Sequence, residues 1–522
     1  FTKTDSGAGS SVPSDYTFTI GPGGDNGAHT FSATLTTSGN QTITATDASN
    51  AINGTSGNIN ITASHLGVVA PATATNGTAF NFTVTALDAN NSTVPGYRGT
   101  IHFSSTSVGT LPSNYTFTAG DSGTRTFSAT LTTLGNQTIT ATDTATSSIN
   151  GTSGTLSVTA APIIVTTAAD EQNTNGQCSL REAIINANNN NQSGSTDCGT
   201  GGGADTINFS ALFNTPQTIN LTSALPQITD SVTINGRGPN LLTIAGNNTS
   251  AVFNNIANSV SLNGLTVTGG KSGCGGGISN LATVTVINST ISGNTSTNVG
   301  GGICNLGTAT VINSTISGNT ATVNSFNGSG GGIENDGAMT VINSTISGNT
   351  ATQNGGIRSL GTLTITNSTI TNNASTQTAF PGGVRHSTMF IRNSIIAGNA
   401  NNTNQPDVMG GTAISSGFNL IGNPGTVIFN GPGDQFGSGA APLNPLLGPL
   451  ANNGGPTLTH ALLFGSPALD AGSNNGSGVS LDERGSTRTV ADRARTDCHS
   501  SERCSALQCH QRNRVQLYRH GP

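Results

Sequence analysis

The chain has no tryptophan, few aromatic residues and very little charge. Of its 522 residues, 4% are aromatic and 8% are charged, with 17 Lys and Arg against 23 Asp and Glu. The last 38 residues contain seven of the basic and three of the acidic groups, so the rest of the chain has a net charge of −10. This balance argues against nucleic acid or an anionic membrane as a partner. No apolar run approaches the ~20 residues of a membrane-spanning helix, so we predict no membrane span.

Glycine and short polar residues are abundant instead, and between Gly275 and Asn399 they recur in one repeated phrase. The five copies read GGGISNLATVTVINSTISGN, GGGICNLGTATVINSTISGN, GGGIENDGAMTVINSTISGN, GGIRSLGTLTITNSTITNN and GGVRHSTMFIRNSIIAGN. Segments of variable length separate these copies. A repeat of about 25 residues with β-branched runs and no helical period is typical of a solenoid of stacked parallel strands.

Stacking would place equivalent residues of successive coils above one another at the strand spacing of ~4.8 Å. The repeat predicts two inward aliphatic columns: Ile278, Ile303, Ile333, Ile357 and Val384, and Ile291, Ile316, Ile346, Ile370 and Ile396. It also predicts a ladder of side-chain amide hydrogen bonds at a turn, formed by Asn288, Asn313, Asn343, Asn367 and Asn393.

The N-terminal part of the chain contains a second repeat. YTFTAGDSGTRTFSATLTTLGNQTITATD, from Tyr115, copies YTFTIGPGGDNGAHTFSATLTTSGNQTITATD, from Tyr16. Short alternating runs between Gly, Asn, Asp and Pro turns predict β-sandwiches. These units resemble the tandem bacterial immunoglobulin-like repeats, of filamin-like or invasin-like type, found in large surface proteins. The first unit is incomplete, so we expect the sequence to begin inside a domain and an export signal to lie upstream.

A short helix is predicted between the sandwiches and the solenoid. In CSLREAI, which begins at Cys178, the S-x-x-E pattern is that of a helix capping box. Leu180, Ala183, Ile184 and Ala187 would then share one helical face. We expect a helix over roughly 179–188 that covers the open end of the solenoid core.

The same segment resembles the signature of the CSLREA domain, which precedes right-handed parallel β-helices in exported bacterial proteins. NPLLGPLANNGGPTLTHALLFGSPALDAGS, from Asn444 to Ser473, resembles the C-terminal part of the choice-of-anchor Q domain. The resemblance implies a β-helix that is extracellular or at the cell surface.

Two pairs of cysteines lie in or near the solenoid. Cys178 and Cys198 bracket a polar loop, and we predict a disulfide between them. The alternative is a thiol nucleophile or a zinc site, but no histidine lies between Cys178 and Cys304 to support it. Cys274 and Cys304 are out of register by about five residues, roughly 15 Å in an extended chain, so we expect no bridge between them. No cofactor or metal site is predicted.

Acidic residues are too sparse for the grouped carboxylates of a polysaccharide enzyme. Between residues 206 and 406 the acidic residues are Asp230, Glu334 and Asp336. The first of these lies several coils away from the other two. A catalytic pair is therefore not expected on this part of the chain.

The register gives Glu334 a structural role. It lies one coil from Arg358, which is followed in the next coil by Arg385. We predict an ion pair of Glu334 and Arg358 in an electrostatic ladder. The alternative is a binding surface for sugar acids formed by Arg358, Arg385 and His386.

The composition changes abruptly in the tail TVADRARTDCHSSERCSALQCHQRNRVQLYRHGP. We interpret this tail as an out-of-frame or misassembled end. The alternative is a basic interaction tail or a Cys/His metal site around Cys498, His499, Cys504, Cys509 and His510.

The sequence thus predicts an all-β protein in which immunoglobulin-like β-sandwich repeats precede a right-handed parallel β-helix with a short N-terminal capping helix. The predicted domains are a partial sandwich (1–64), a sandwich (65–161), the cap of the solenoid (162–204), the β-helix (205–440), the C-terminal part of the choice-of-anchor Q domain (441–485) and the atypical tail (486–522).

The predicted function is non-enzymatic: a structural or adhesive part of an exported bacterial surface protein, with glycans as partners. The first alternative is a polysaccharide lyase or hydrolase on a pectate-lyase-like β-helix. A second is an ice-binding solenoid, suggested by the stacked Thr290, Thr315, Thr345 and Thr369. Ice binding would need a wide, flat threonine face, and the repeat shows one clear threonine column.

Overall fold

The structure is a computed structural model that describes residues 1–6, 9–35, 39–322, 328–399, 405–473 and 481–486. The atypical tail from residue 487 onward, with its Cys and His residues, lies outside these ranges. The chain is mostly β, with 42% strand and 4% helix. It divides into two compact units, Phe1–Ala161 and the chain from Pro162 onward.

The N-terminal unit is built of small, mainly antiparallel sheets. Its strands are Thr2–Lys3, Gly39–Gln41, Ile43–Asp47, Ile52–Thr55, Ile59–Ile61, His65–Val69, Thr73–Thr75, Ala79–Leu87, Thr100–Ser105, Gly109–Thr110, Tyr115–Thr116, Thr124–Leu131, Gly135–Gln137, Ile139–Asp143, Asn150–Thr152 and Leu156–Thr159. In the second copy alternate residues are buried, and the rings of Phe82, Phe103 and Phe127 meet in the core. This pattern is that of a β-sandwich.

From Pro162 the chain forms a right-handed parallel β-helix of about eight turns. Its strands fall into three stacked sheets, which we call sheets A, B and C. Sheet A contains Ile163–Val165, Asp205–Phe209, Val232–Asn235, Phe253–Asn255, Val260–Asn263, Ile278–Asn280, Thr283–Ile287, Ile303–Asn305, Thr308–Ile312, Ile333–Asn335, Ala338–Ile342, Ile357–Thr366, Val384–Arg392 and Val408–Ser415. Sheet B contains Gln217–Asn220, Leu242–Ala245, Thr266–Thr268, Thr290–Ser292, Thr315–Ser317, Thr345–Ser347, Thr369–Thr371, Ile395–Ile396, Leu420–Ile421 and Gln435–Phe436.

Sheet C contains Lys271–Cys274, Thr295–Val299, Thr320–Ala321, Thr350–Ala351 and Ala374–Ser375. These strands open the segments of variable length between the copies of the repeat. The sequence indicates such segments only as spacers, because a strand of two residues is too short to show an alternating pattern.

The strand pairing in the structure has the register that the repeat predicts. Ile278 pairs with Ile303, and the parallel pairing continues through Ile333 and Ile357 to Val384. All ten residues of the two predicted aliphatic columns are buried, each with 0% of its surface exposed. The predicted solenoid is therefore confirmed.

The predicted helix spans Leu180–Asn189 and packs on the first strand of the solenoid. Ser179 caps it: the Ser179 hydroxyl accepts from the Glu182 amide at 3.2 Å, and the Glu182 carboxylate accepts from the Ser179 amide at 2.8 Å. Leu180, Ala183, Ile184 and Ala187 are buried in the solenoid core cluster, as their spacing predicts. Two short 3-10 helices, Ala119–Asp121 and Ala211–Asn214, complete the helical segments described.

The end of the described chain returns to the side of the solenoid. A hairpin of Leu447–Ala451 and Thr459–Leu462, together with residues 481–486, lies against the outer face of sheet B. We call these segments the C-terminal strap.

Candidate functional site

The predicted asparagine ladder lies at a turn between sheets A and B. All five of its residues have φ between +47° and +54°, a left-handed conformation that Asn tolerates better than most residues. The Nδ2 atoms of Asn313 and Asn343 donate to the Oδ1 atom of the preceding Asn at 3.3 and 2.8 Å, and Asn393 donates to Asn367 at 2.6 Å. The triplet asparagines thus all serve the backbone turn, and they form the predicted amide ladder in part: it is interrupted at Asn367, whose Nδ2 atom has no hydrogen-bond partner among the described residues.

Two further amide columns, absent from the sequence prediction, are buried along their whole length. One passes through Asn255, Asn280, Asn305 and Asn335 to the Ser359 hydroxyl, with Nδ2-to-oxygen distances of 2.6 to 2.8 Å. The other joins Asn294, Asn319, Asn349, Asn373 and Asn399, and ends on the Asp407 carboxylate. The sequence contains a signal for both columns: an Asn recurs two residues after the column Ile in the first and directly after Ser-Gly in the second. These columns satisfy buried backbone groups at the corners of the coil.

Glu334 and Arg358 form an ion pair between adjacent coils. Glu334 is 1% exposed, and its Oε2 atom has no hydrogen-bond partner in the structure. Burial raises the pKa of Glu334 to about 7, against the lowering effect of the Arg358 charge and with a further increase from Asp336. The buried carboxyl therefore depends on Arg358 for its charge compensation.

The alternative sugar-acid surface is not formed. His386 is 3% exposed, so its ring cannot contribute to a surface, and Arg358 is paired with Glu334. Arg385 is half-buried, and its guanidinium lies 5.3 Å from the centre of the Phe380 ring. His386 pairs with Ser359, the last residue of a column of buried amides, and therefore occupies the next position of that column. Because the side chains of this column point into the coil, the histidine is buried.

We expect His386→Leu to stabilise the solenoid, and more so at acidic pH. Burial lowers the pKa of His386 to about 4 from 6.5, against a smaller raising effect of the Ser387 backbone, and neither ring nitrogen has a well-formed hydrogen bond to a described residue. The stability of the neutral ring is therefore present above pH 6.5 and is lost as the pH falls towards 4, because only the unfolded chain takes up the proton. The difference in the free energy of unfolding between variant and wild type should therefore be about 2 kcal/mol more favourable to the variant at pH 5 than at pH 8.

Urea unfolding of wild type and variant at both pH values measures this difference. His102→Leu removes an exposed histidine of the N-terminal unit and controls for the loss of one imidazole. Equal effects of His386→Leu at the two pH values would contradict the prediction.

The cysteines form two disulfides in the structure. Cys178 and Cys198 are bridged, with Cα atoms 4.9 Å apart, as the sequence predicts. Cys274 and Cys304 are also bridged, with Cα atoms 5.4 Å apart, so the expectation that they would not pair is wrong.

The error arose because the chain between residues 274 and 279 is not extended. Gly275 has φ +71°, and a Cβ atom at this position would lie 2.1 Å from the Ile278 carbonyl oxygen. The glycine corner therefore folds Cys274 back beside Ser279, which pairs in register with Cys304 of the next coil.

The threonine column suggested for ice binding is covered. Thr315 and Thr345 are both 0% exposed beneath the C-terminal strap. The Thr315 hydroxyl donates to the Leu458 carbonyl at 2.6 Å, and the Thr345 hydroxyl donates to the Glu483 carboxylate at 2.8 Å. This column holds the chain's own strap and cannot serve as an open binding face.

A different hydroxyl array is open on sheet A. Along the second strand of each coil, half-buried hydroxyl residues form one continuous column over seven coils: Thr206, Thr233, Ser261, Thr285, Thr310, Thr340 and Thr364. Two residues earlier on each strand runs a second column: Ser231, Ser259, Thr283, Thr308, Ala338 and Thr362. We call these two columns the hydroxyl face. Neither column contains a charged residue.

Accessible acidic groups are few on the repeat. Within residues 275–399, apart from the undescribed 323–327, Asp336 is exposed and Glu334 is buried. In the described part of the chain no group of three or more His, Cys, Asp or Glu residues is placed to hold a metal ion. No helix in the described ranges is long and apolar enough to cross a membrane.

Comparison of the chain with protein-family models, with curated proteins and with solved structures found no match. The resemblance to the CSLREA, choice-of-anchor Q and immunoglobulin-like families therefore stays a prediction from motifs.

Proposed function

We propose that this protein is a non-enzymatic structural or adhesive element, in which the β-helix is a rigid spacer with binding faces for extended glycans. The observation that carries this proposal is the chemistry of the hydroxyl face, where hydroxyl groups repeat over seven coils and neither column contains a charged residue. A repeating partner can engage such a face through many weak hydrogen bonds, whose combined strength comes from their number.

A polysaccharide lyase or hydrolase on the same fold is the less favoured function. Glycoside hydrolysis requires two carboxylates on either side of the scissile bond. Glu334 is buried against Arg358, and the exposed Asp336 has no second accessible carboxylate on the described part of its repeat. The coil therefore lacks an acid–base pair open to a sugar chain.

We further propose that the protein is exported and acts outside the cell. The paired cysteines support this proposal, because disulfides persist in oxidising compartments. The CSLREA-like and choice-of-anchor Q-like motifs, and the sandwich repeats that precede them, are consistent with a stalk on a bacterial surface.

The proposal predicts retention without turnover. Incubation with pectin, polygalacturonate, alginate and chitin, with and without calcium, should release no unsaturated or reducing ends above the blank, while the protein is retained on at least one insoluble glycan. Glu334→Gln and Asp336→Asn should leave both readouts unchanged. Turnover that either substitution abolishes would establish the enzyme instead, and retention on none of the glycans would remove the glycan partner.

A further inference from the structure

We propose that the hydroxyl face of sheet A binds ice. This inference concerns a different face from the covered threonine column of sheet B, and it does not depend on glycan binding.

The first argument is the spacing. Successive coils repeat at about 4.8 Å, and residues two apart on one strand are separated by about 6.6 Å. Strand pairing fixes the central column in register from Thr206 to Thr364, over a length of about 29 Å along the solenoid. Thr283, Thr308 and Thr362 add hydroxyls of the second column in the paired strands, so both repeats occur there, and both lie near the principal lattice repeats of hexagonal ice.

The second argument is that the hydroxyl groups are not used within the protein. The side-chain hydroxyls of the central column make no hydrogen bond to another described residue. In the N-terminal unit, by contrast, Thr100 pairs with Thr116 at 2.7 Å and Thr140 with Thr152 at 2.9 Å. On sheet B the hydroxyls of Thr315 and Thr345 donate to the strap. The hydroxyls of the central column on sheet A are therefore available to form hydrogen bonds with ordered water.

The third argument is the combination of groups at each position. A threonine presents a methyl group beside its hydroxyl, so each of the nine threonines among the thirteen positions can both anchor one water molecule and restrict its neighbours. Beneath the face, Val286, Val311, Val341 and Ile365 are at most 2% exposed and hold the strands rigid. Aromatic side chains, which would stack on sugar rings, enter the central column only at its end, where Phe390 follows Thr364. These features suit a regular water lattice as an occupant of the face.

The test is the freezing behaviour of the full chain. Wild-type protein should shape growing ice crystals, open a gap between melting and freezing temperatures, and be enriched in a slowly grown ice fraction relative to a co-dissolved inert protein. Thr310→Lys with Thr340→Lys places two long charged side chains in the centre of the face, and the gap should fall to that of the buffer. The milder Thr310→Ser with Thr340→Ser keeps the hydroxyls and should narrow the gap.

The matched control is Thr322→Lys with Thr352→Lys, which makes the same change beside sheet C and should leave the gap unchanged. Far-UV circular dichroism and the melting temperature establish that each variant is folded. A wild-type protein that freezes like the buffer, or a control that loses as much activity as the sheet A variant, would overturn the inference. If the wild-type protein shows no ice activity and the Thr310/Thr340 lysine variant loses the wild-type retention on an insoluble glycan, the inference is also overturned and the face is assigned to the proposed glycan function.

Discussion

Arg358→Ala should destabilise the solenoid by about 3 kcal/mol at pH 8. The substitution leaves Glu334 as a buried carboxylate, 1% exposed, with neither its ion-pair partner nor a hydrogen bond to Oε2. An uncompensated buried charge costs more than a pair contributes, because desolvation of the remaining ion is no longer offset. Urea unfolding followed by circular dichroism measures the loss.

The loss should shrink as the pH falls. Burial raises the pKa of Glu334 to about 7 from 4.5. A carboxyl with a raised folded-state pKa contributes stability that is fully present below 4.5 and is lost as the pH rises through 7, because the folded chain holds the proton longer. At pH 5 the carboxyl of the variant is neutral and needs no partner, so the deficit should be much smaller than at pH 8.

Glu334→Gln provides the control. Arg358→Ala made in the Glu334→Gln background should cost far less than in wild type, since no buried carboxylate remains. Equal losses in both backgrounds and at both pH values would mean that Arg358 acts through packing of its side chain.

Asn319→Ala should destabilise the solenoid by about 3 kcal/mol. The Asn319 amide is 0% exposed and makes four hydrogen bonds: Nδ2 donates to the Ile291 carbonyl and to Asn349 Oδ1, each at 2.9 Å, and Oδ1 accepts from the amide and Nδ2 of Asn294, each at 3.0 Å. Removal of this side chain leaves several buried polar groups without partners, and each costs about 1–3 kcal/mol unless water replaces the amide.

The matched control is Asn313→Gly, at a half-buried position of the predicted ladder. Glycine adopts the φ of +49° found at this position without strain, so only two partly solvated amide bonds and some chain entropy are lost. Its cost should be about 1 kcal/mol. If both substitutions cost the same, burial of the amide column would not be what makes it stabilising.

The sequence alone determined the register of the coils and the aliphatic residues that repeat in them. Because the fixed separation between the aliphatic residue and the triplet Asn recurs, the register, both aliphatic columns and the turn at Asn288 followed directly from spacing. The helix at Leu180 could likewise be predicted, because its cap and its buried face lie within ten residues of one another.

The amide columns were missed although their asparagines repeat just as regularly. The spacing says that Asn280 and Asn305 lie above one another, but not whether they point into the coil or into solvent. That orientation depends on where the backbone turns, and the corner at Gly275 is also what brings Cys274 to Cys304.

Only the tertiary structure decided which faces of the solenoid are open. The strap reaches Thr315 from Leu458, 143 residues along the chain, and it reaches Thr345 of the next coil from Glu483. A contact that recurs in every coil produces a periodic pattern in the sequence and can be predicted from it. A contact made by one segment at one place produces no such pattern. The threonines of sheets A and B cannot be told apart from the repeat alone. They differ in exposure, because Thr315 and Thr345 of sheet B lie under the strap whereas Thr310 and Thr340 of sheet A are half-buried on an open face.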